Sequence, residues 1–484
     1  MTARDVSTPS RSDPMAARGS GVLGGVWGRH AGLSRSSWWT PVRVLLIATL
    51  ISLLLGFAEK APCADGNWTG WKQYTHMCYS DVIPLWSDEG FANGAVPYRD
   101  SAVEYPVLTG GFMWLSSGVV HLLHALSSQW NEGVLFGVVT AFLLAICALI
   151  ITGMTAATAR GRPYDAAIFA LSPLLVFHAF TNWDLLAMAL AAAALWAWSR
   201  EKPVAAGVFI GLGTAAKLYP VFLLLPLVVL AIRTRRYTSV VWAVVATAVS
   251  WLTVNVPIAI AYHHGWWAFY QFSADRSAER STIWAIVKTL VDAGNNPSDA
   301  VYWVPPGAAV ALAVVAALLI VVWIGLSAPV KPRVAQLAFL AVLAFVITTK
   351  VWSPQYSLWL VPLLALARPR WRLALVWQFT EIAVWFMTLT LLLGLEPDQS
   401  SHGIGYGWLI LILLVRDLLL LALAGLIVWD MWHPEKDVVR TGGVDDPGGG
   451  EFDGALDHFR RRRRDDAWDE PEPDIAPGWR NTGR

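Results

Sequence analysis

A carboxylate and four basic side chains are the residues in this sequence best suited to chemistry. Asp81 stands in the stretch YSDV, directly before an apolar segment. Lys217 and Lys350 each follow an apolar run and precede a Pro and a Tyr, whereas Arg276 and Arg280 lie four residues apart. A carboxylate can accept the proton of a hydroxyl group, and Lys or Arg can stabilise the charge of a departing phosphate. These residue types favour transfer of a group from a phosphate-bearing donor.

The composition of the chain indicates that these residues belong to a membrane protein. Of its 484 residues, 56% are hydrophobic and 15% are charged, and the mean hydropathy is +0.48. A soluble globular chain carries about 25% charged residues, so this chain has too few charges to cover a surface in water. Its 28 tryptophans agree with this interpretation, because Trp collects at membrane–water interfaces.

Basic loops decide which of thirteen apolar runs between residues 42 and 430 cross the membrane. Five such loops share the cytoplasmic side with the N-terminus only if one of the first three runs does not cross. The run at 107–126 is the weakest, because it contains two His and several Ser and Gly residues. We therefore predict an all-α polytopic protein with about 12 transmembrane helices and both termini in the cytoplasm. Residues 59–132 then form a long first extracytoplasmic loop that carries interfacial helices.

Two hairpins place Lys217 and Lys350 within the outer half of the membrane. About 14 residues separate Lys217 from the preceding basic loop, which is about 21 Å of helix, against a hydrocarbon core of about 30 Å. Irregular backbone and charge are tolerated at that depth only where they line an enclosed or watery cavity. The two similar turns predict a shared cavity that opens to the extracytoplasmic side, where a lipid-linked phosphate could dock by its tail.

The residues alone leave several alternatives open. An acidic loop residue such as Asp81 is commonly a solvated surface charge or a helix cap. Cys63 and Cys78 share one extracytoplasmic segment, where they could form a disulfide or remain free thiols. The adjacent His263 and His264 cannot both bind one metal ion without further ligands, so we predict no metal site.

The remaining sequence divides the chain into three parts and excludes some function classes. We expect a disordered cytoplasmic N-terminus at 1–41, a transmembrane domain at 42–430 and a disordered cytoplasmic tail at 431–484, which contains the basic run 460–464. A phosphate-binding GK[ST] loop, an HExxH motif and a nucleophile elbow are all absent from the sequence. This argues against cytoplasmic nucleotide chemistry, and we predict neither a cofactor nor a nucleic-acid partner.

Five stretches spread over residues 42–430 match one known group of enzymes. They are YSDV (79–82), VPYRDSAVEYPVLTGG (96–111), NWDLLAMAL (182–190), GLGTAAKLYPV (211–221) and KVWSPQYSLWLVPL (350–363). In these stretches the chain resembles the GT-C integral-membrane glycosyltransferases, specifically the actinobacterial branch of glycosyltransferase family 87. That branch includes polyprenyl-phosphate-mannose-dependent α-mannosyltransferases and arabinofuranosyltransferase relatives.

The resemblance implies an inverting, metal-independent transfer of a sugar, mannose by expectation, from a polyprenyl-phosphate donor to a glycolipid or glycan acceptor. Asp81 would deprotonate the acceptor hydroxyl, on the extracytoplasmic side of the plasma membrane. Lys217 and Lys350 would hold the donor phosphate, with Arg276 and Arg280 as helpers. Sugar or acceptor contacts would come from Asp100, Glu104, Tyr105, Asn182, Asp184, Tyr219, Gln355 and Tyr356. The acidic pair Asp100 and Glu104 competes with Asp81 for the role of base.

Two other functions fit the same features. A transporter or flippase of lipid-linked sugars also has many spans, intramembrane charges and broken helices. Such a protein commonly contains an inverted repeat, whereas the two lysine hairpins run in the same orientation. A non-catalytic scaffold that has kept the fold is the third hypothesis, and the small outward loops offer it little support.

Overall fold

The computed structural model describes residues 38–64, 66, 68–292, 303–441 and 443–459. These residues form eighteen α-helices and no β-strand, which confirms the all-α prediction. The first nine helices are α1 (Pro41–Lys60), α2 (Lys72–Thr75), α3 (Val82–Asp88), α4 (Val107–Leu126), α5 (Glu132–Thr158), α6 (Ala167–Ala170), α7 (Pro173–His178), α8 (Asp184–Ser199) and α9 (Pro203–Ala216). The others are α10 (Leu224–Thr234), α11 (Tyr237–Ala261), α12 (His263–Asp275), α13 (Ile283–Val291), α14 (Gly307–Ser327), α15 (Val334–Thr348), α16 (Ser357–Ala367), α17 (Trp371–Leu395) and α18 (Tyr406–Trp432).

Seven of the described helices are long and apolar enough to cross a membrane, namely α1, α4, α5, α11, α14, α17 and α18. Five shorter apolar helical segments cover 184–199, 203–216, 219–234, 334–348 and 354–367. The number of spans therefore stays a prediction, because length and composition alone do not decide whether a short helix crosses. Four of these segments form the predicted hairpins at Lys217 and Lys350, since each of these lysines follows the end of a short helix, α9 or α15.

Antiparallel helices give the bundle two distinct ends. In mid-bundle, the Thr49 hydroxyl of α1 lies 2.7 Å from the Thr152 hydroxyl of α5. Near the last turn of α1, Lys60 lines a small cavity together with Gly137, near the start of α5. We call this the loop end, because it carries the described residues between 61 and 131. The opposite end, where α5 finishes and the segment 434–459 lies, is called the tail end.

Close packing of α9 against α11 sets the position of the turn that carries Lys217. Gly207 and Gly211 of α9 face the α11 backbone, and a Cβ atom at either position would collide with the carbonyl oxygen of Ala243 or Thr247. Small residues allow this approach between apolar helices. The two glycines thus bring α9 into the bundle, with Lys217 directly after its last residue.

Helix α4 has both ends at the loop end of the bundle. At its start, Thr109 donates a hydrogen bond of 2.7 Å to the carbonyl of Ala216, the last residue of α9. Near its end, His124 Nε2 lies 3.4 Å from an oxygen of Glu132, the first residue of α5. These contacts favour the prediction that 107–126 does not cross the membrane, although its length and composition would allow a span.

The structure also joins Cys63 to Cys78 in a disulfide, with the two Cα atoms 5.7 Å apart. Of the two alternatives that the sequence leaves open, the described loop therefore contains the bridged form. The bond ties the residue before Tyr79 to the chain just after α1.

Residues 434–441 and 443–459, part of the tail for which we predict disorder from residue 431, pack across the tail end in the described structure. Three of its acidic residues form ion pairs with basic residues of the helix bundle and its loops: Asp437 with Arg333, Asp445 with Lys331, and Asp457 with Arg233. Arg233 and Arg333 are almost fully buried, so their charges need these partners. The predicted disorder of 1–37 and 460–484, including the basic run 460–464, lies outside the described residues.

Candidate active site

A cavity of about 500 Å³ lies at the loop end, where the first loop meets the two lysine hairpins. Ten of the thirteen predicted site residues line it: Asp81, Glu104, Tyr105, Asn182, Lys217, Tyr219, Arg276, Lys350, Gln355 and Tyr356. They come from separate parts of the chain, so the cavity assembles only when the loop and both hairpins pack together. The shared cavity that the hairpin lengths predict is therefore present.

Asp81 directs its carboxylate into the cavity. It directly precedes α3, where a carboxylate would commonly cap the helix, yet within that fully described helix its side chain caps no N–H group. Ser80 Oγ accepts the hydrogen bond from Val82 N instead, at 3.2 Å. The Tyr79 hydroxyl donates to Asp81 Oδ1 at 2.8 Å, and the Tyr105 hydroxyl donates to Oδ2 at 3.4 Å. Two phenols therefore orient the carboxylate.

The surroundings of Asp81 adjust its basicity. Burial raises the pKa of its carboxyl above the ordinary value, and the nearby Asp184 carboxylate acts in the same direction. The Tyr79 hydroxyl and the Lys217 ammonium oppose that shift, because they stabilise the charged form. A carboxylate with a raised pKa is a stronger base toward a sugar hydroxyl, provided that it is deprotonated at the working pH.

Glu104 is the second carboxylate that lines the cavity. Burial raises the pKa of Glu104, and the neighbouring acids Glu89 and Asp81 add to the shift. Its backbone N–H donates to a Glu89 oxygen at 3.3 Å, which holds the loop on which it lies. Asp81 and Glu104 therefore line the same cavity, and both remain candidates for the role of base.

Lys217 is held by three groups around its ammonium. Its Nζ lies 2.9 Å from Asp184 Oδ1, and it sits 5.2 Å and 5.0 Å from the ring centroids of Tyr105 and Tyr356. The other Asp184 oxygen accepts a 3.0 Å hydrogen bond from Trp359 Nε1. Because its carboxylate is occupied in this way, Asp184 positions Lys217 and is not among the described residues that line the cavity.

An aromatic stack forms one wall of the cavity. The Trp359 ring stacks against Tyr219 at 4.3 Å and against Tyr356 at 4.0 Å between centroids. Tyr219 follows the Lys217 turn, whereas Tyr356 and Trp359 follow the Lys350 turn, so the stack joins the two hairpins. Such parallel aromatic contacts stabilise by about 0.5–1.5 kcal/mol beyond burial. The wall therefore keeps the two turns at a fixed separation.

Arg276 follows directly after α12 and contributes the most accessible cation described in the cavity. Its side chain is 38% exposed, and its ion pair with Glu279 is long, at 3.5 Å. Lys350 instead donates a 2.7 Å hydrogen bond to the carbonyl of Ala274, in the last turn of α12. The Lys350 carbonyl in turn accepts a hydrogen bond from Glu279 N. Lys350 thus ties its hairpin turn to the segment that carries Arg276.

Three predicted site residues do not reach the cavity among the residues described. Asp100 pairs with Arg99 at 2.8 Å on the exposed surface, and this partner lowers the pKa of Asp100 to about 2, which makes it a weak base. Arg280 offers its backbone carbonyl to the Tyr406 hydroxyl at 2.8 Å, and its side chain does not line the cavity. Asp184 is the third, for the reason given above.

Several residues of the site were missed by the sequence interpretation. Tyr79 lies in the quoted YSDV stretch, and its position two residues before Asp81 was the available signal. Trp359 lies three residues after Tyr356, a spacing that brings side chains together on a helix. Phe269 and Phe272 of α12 line the cavity, and their own i, i+3 spacing indicates one face of that helix. The described residues contain no group of three or more His, Cys, Asp or Glu side chains that could hold a metal ion.

Comparison with known families finds one group to which the chain is similar. The model of glycosyltransferase family 87 matches residues 116–354. The match covers just under half of the 484 residues, and over this region the chain is similar to glycosyltransferase family 87. The resemblance seen in the sequence is thereby confirmed, and glycosyl transfer is favoured over transport. No curated protein matches the chain.

The family 87 match covers only part of the glycosyltransferase cavity. Asn182, Lys217, Arg276 and Lys350 lie within the matched residues 116–354. Asp81 lies before them, so its assignment depends on its position in the cavity and on the stretches quoted from the sequence. The glycosyltransferase thus builds its site from the matched region and from the first loop.

Proposed function

We propose that this glycosyltransferase moves a sugar, mannose in the first instance, from a polyprenyl-phosphate donor to a hydroxyl group of an extracytoplasmic glycolipid or glycan. Asp81 accepts the proton of that hydroxyl. The acceptor oxygen forms the new bond to the anomeric carbon, the bond from that carbon to the phosphate oxygen breaks, and polyprenyl phosphate leaves. A direct attack from the side opposite the phosphate inverts the configuration.

The observation that carries this proposal is the orientation of the Asp81 carboxylate into the cavity. Tyr79 and Tyr105 hold its two oxygens through their hydroxyl groups, which leaves the remaining lone pairs for an acceptor hydroxyl. Its raised pKa suits a general base. Asp100, the competitor on the exposed surface, lacks both features.

Arg276 is the main ligand that we propose for the donor phosphate. It lines the cavity, its side chain is partly exposed, and its one described ion pair is long. A guanidinium group can donate two parallel hydrogen bonds to a phosphate. Lys217 adds positive charge nearby, although Asp184 already pairs with it.

An apolar wall on the same cavity supports a lipid-linked donor. Leu218, Phe272 and Val310 line it together with Phe269 and Phe345, and Leu218 and Phe272 remain 53% and 42% exposed. Helix α14, which carries Val310, is long and apolar enough to span a membrane. Only 11% of its most apolar 18-residue stretch is buried inside the protein. A polyprenyl chain could lie along this wall from the surrounding lipid while its phosphate reaches Arg276.

Transfer of radiolabelled mannose from synthetic polyprenyl-phosphate-mannose tests the proposal. The purified protein in lipid is given a membrane lipid extract as acceptor, and wild type is compared with Asp81→Asn and with Glu104→Gln. We expect product from wild type, at least a hundredfold loss (roughly, for removal of a general base) in Asp81→Asn, and a smaller loss in Glu104→Gln. We expect Asp81→Asn to keep the wild-type KM for the donor.

Other outcomes of this experiment contradict defined parts of the proposal. If Glu104→Gln loses transfer while Asp81→Asn retains it, Glu104 is the base. If wild type is active only with a polyprenyl-phosphate-arabinofuranose donor, mannose is the wrong sugar. If neither donor gives product, the dependence on a polyprenyl-phosphate sugar is wrong.

A further inference from the structure

The four residues from Cys78 to Asp81 are fixed from the side of α1. Lys60, the last residue of α1, donates a 2.9 Å hydrogen bond from Nζ to the backbone carbonyl of Tyr79. The Cys63–Cys78 disulfide attaches the residue before Tyr79 to the chain that follows α1. Both links hold the backbone immediately before Asp81.

The same segment is also fixed from the connection between α7 and α8. Ser80 Oγ donates a 2.7 Å hydrogen bond to the carbonyl of Phe180. The backbone N–H of Asp81 donates to the carbonyl of Thr181 at 2.8 Å. Each of the four consecutive residues therefore has its own contact with a neighbouring element, and the backbone has little freedom to shift.

This restraint matters because the segment lacks regular secondary structure of its own. Met77, directly before it, has a positive φ of 60°, and α3 begins only at Val82. Ordering an irregular segment costs conformational entropy, which its contacts must offset. The anchors keep Tyr79 where its hydroxyl meets Asp81 Oδ1.

Lys60 is not among the described residues that line the 500 Å³ cavity. Its side chain is 11% exposed, pairs with Glu59 at 3.0 Å and lies 5.2 Å from the ring centroid of Trp385. A charge in such a place costs desolvation energy, and it has no access to the donor phosphate. Its contact with the chain around the base is the carbonyl of Tyr79.

We propose that Lys60 and the Cys63–Cys78 disulfide are positioning elements for the catalytic carboxylate, which they hold through the backbone of Tyr79. This inference rests on the proposed role of Asp81 as the base. Both elements act on the reaction indirectly, since neither touches the reacting atoms. Their effect is therefore on kcat and leaves the KM for the donor unchanged.

Steady-state kinetics with polyprenyl-phosphate-mannose and the lipid acceptor test this proposal in four variants. Lys60→Met removes the hydrogen bond, Lys60→Arg keeps a donor, and the double variant Cys63→Ser/Cys78→Ser removes the bridge without changing charge. Lys288→Met is the matched control, because Lys288 lies on α13 and pairs with Asp292. We expect kcat to fall about tenfold or more in Lys60→Met and in the serine variant, with partial recovery in Lys60→Arg and no change in the control.

Repeating the disulfide removal in a Tyr79→Phe background distinguishes a loss of positioning from a general loss of folding. In a Tyr79→Phe background the hydroxyl contact with Asp81 is already absent, so removing the disulfide lowers kcat by a smaller factor than in wild type. Equal factors in both backgrounds, or a rise in donor KM without a change in kcat, overturn the inference. Thermal unfolding of each variant identifies any that fail to fold, and Lys60→Arg then provides the test.

The proposed function and this inference fail in different ways. If Asp81→Asn keeps wild-type turnover, Asp81 is not the base and the proposed mechanism falls. If Asp81→Asn loses turnover while Lys60→Met and the serine variant keep wild-type kcat, the positioning inference alone falls.

Discussion

The ammonium of Lys217 and the carboxylate of Asp184 lie 2.9 Å apart at the boundary of the cavity, with side chains 16% and 4% exposed. Lys217 follows α9 and Asp184 begins α8, so the pair joins two short helices at the loop end. A cation that already has a carboxylate partner adds less net positive charge to the cavity than a free one. We therefore expect the proposed donor phosphate to depend more strongly on Arg276.

Removing one member of the Lys217–Asp184 pair should destabilise the fold more than removing both. Asp184→Asn leaves Lys217 with a buried charge and without its carboxylate, which costs up to about 3–5 kcal/mol in buried pairs. The double variant Lys217→Met/Asp184→Asn should regain most of the lost thermal stability but should remain less active than wild type. Unfolding followed by fluorescence in detergent measures the stability, and mannosyl transfer measures the activity. Double-variant stability no higher than that of Asp184→Asn would show that the pair has no such role.

The activity should fall as the pH falls through the raised pKa of Asp81, because the protonated carboxyl cannot accept a proton. In a plot of kcat/KM against pH, the midpoint of the acid limb should therefore lie above the ordinary Asp pKa of about 4. Tyr79→Phe removes a hydrogen bond that lowers this pKa, so the limb should move to higher pH. A pH profile of wild type and Tyr79→Phe measures the shift, with Tyr237→Phe, at an exposed position on α11, as the control. A limb that stays in place would remove Tyr79 from the environment of the base.

The lengths of the apolar runs predicted much of the cavity. Because α9 is too short to cross a hydrocarbon core of about 30 Å, the sequence predicts that Lys217 lies within the outer half of the membrane, and the same argument applies to Lys350. Both residues line one cavity. The depth of a residue in a helical hairpin follows from local sequence, which explains why this part could be predicted.

The partners of these residues could not be predicted from local sequence. The hydrogen bond from Trp359 to Asp184 joins residues 175 positions apart, so it depends on how α8 packs against the second hairpin. The tail shows the same limitation more strongly. Its Gly- and Asp-rich composition is typical of disorder, yet Asp437 and Asp457 meet buried arginines of distant loops and helices.

Arg276 and Arg280 should differ sharply in their effect on donor binding, although they lie four residues apart. Arg276 lines the cavity, and a lost hydrogen bond to a charged group costs about 1.5–3 kcal/mol. Arg276→Gln should therefore raise the KM for the polyprenyl-phosphate donor roughly tenfold to a hundredfold. Arg280→Gln should leave it near the wild-type value. Equal effects of the two substitutions would contradict the assignment of the phosphate to Arg276.

The folded part of the tail should contribute to stability through its buried ion pairs. Arg333 and Asp437 lie 2.7 Å apart with both side chains only 2% exposed, so Asp437→Asn leaves a buried, unpaired guanidinium at a cost of about 3–5 kcal/mol. Asp445 pairs with Lys331 but is 28% exposed. Asp445→Asn should therefore destabilise the fold less, because water already screens the charge of this more exposed carboxylate. Thermal unfolding of both variants measures the difference. If truncation after residue 433 leaves the unfolding temperature unchanged, the segment 434–459 does not stabilise the helices beneath it.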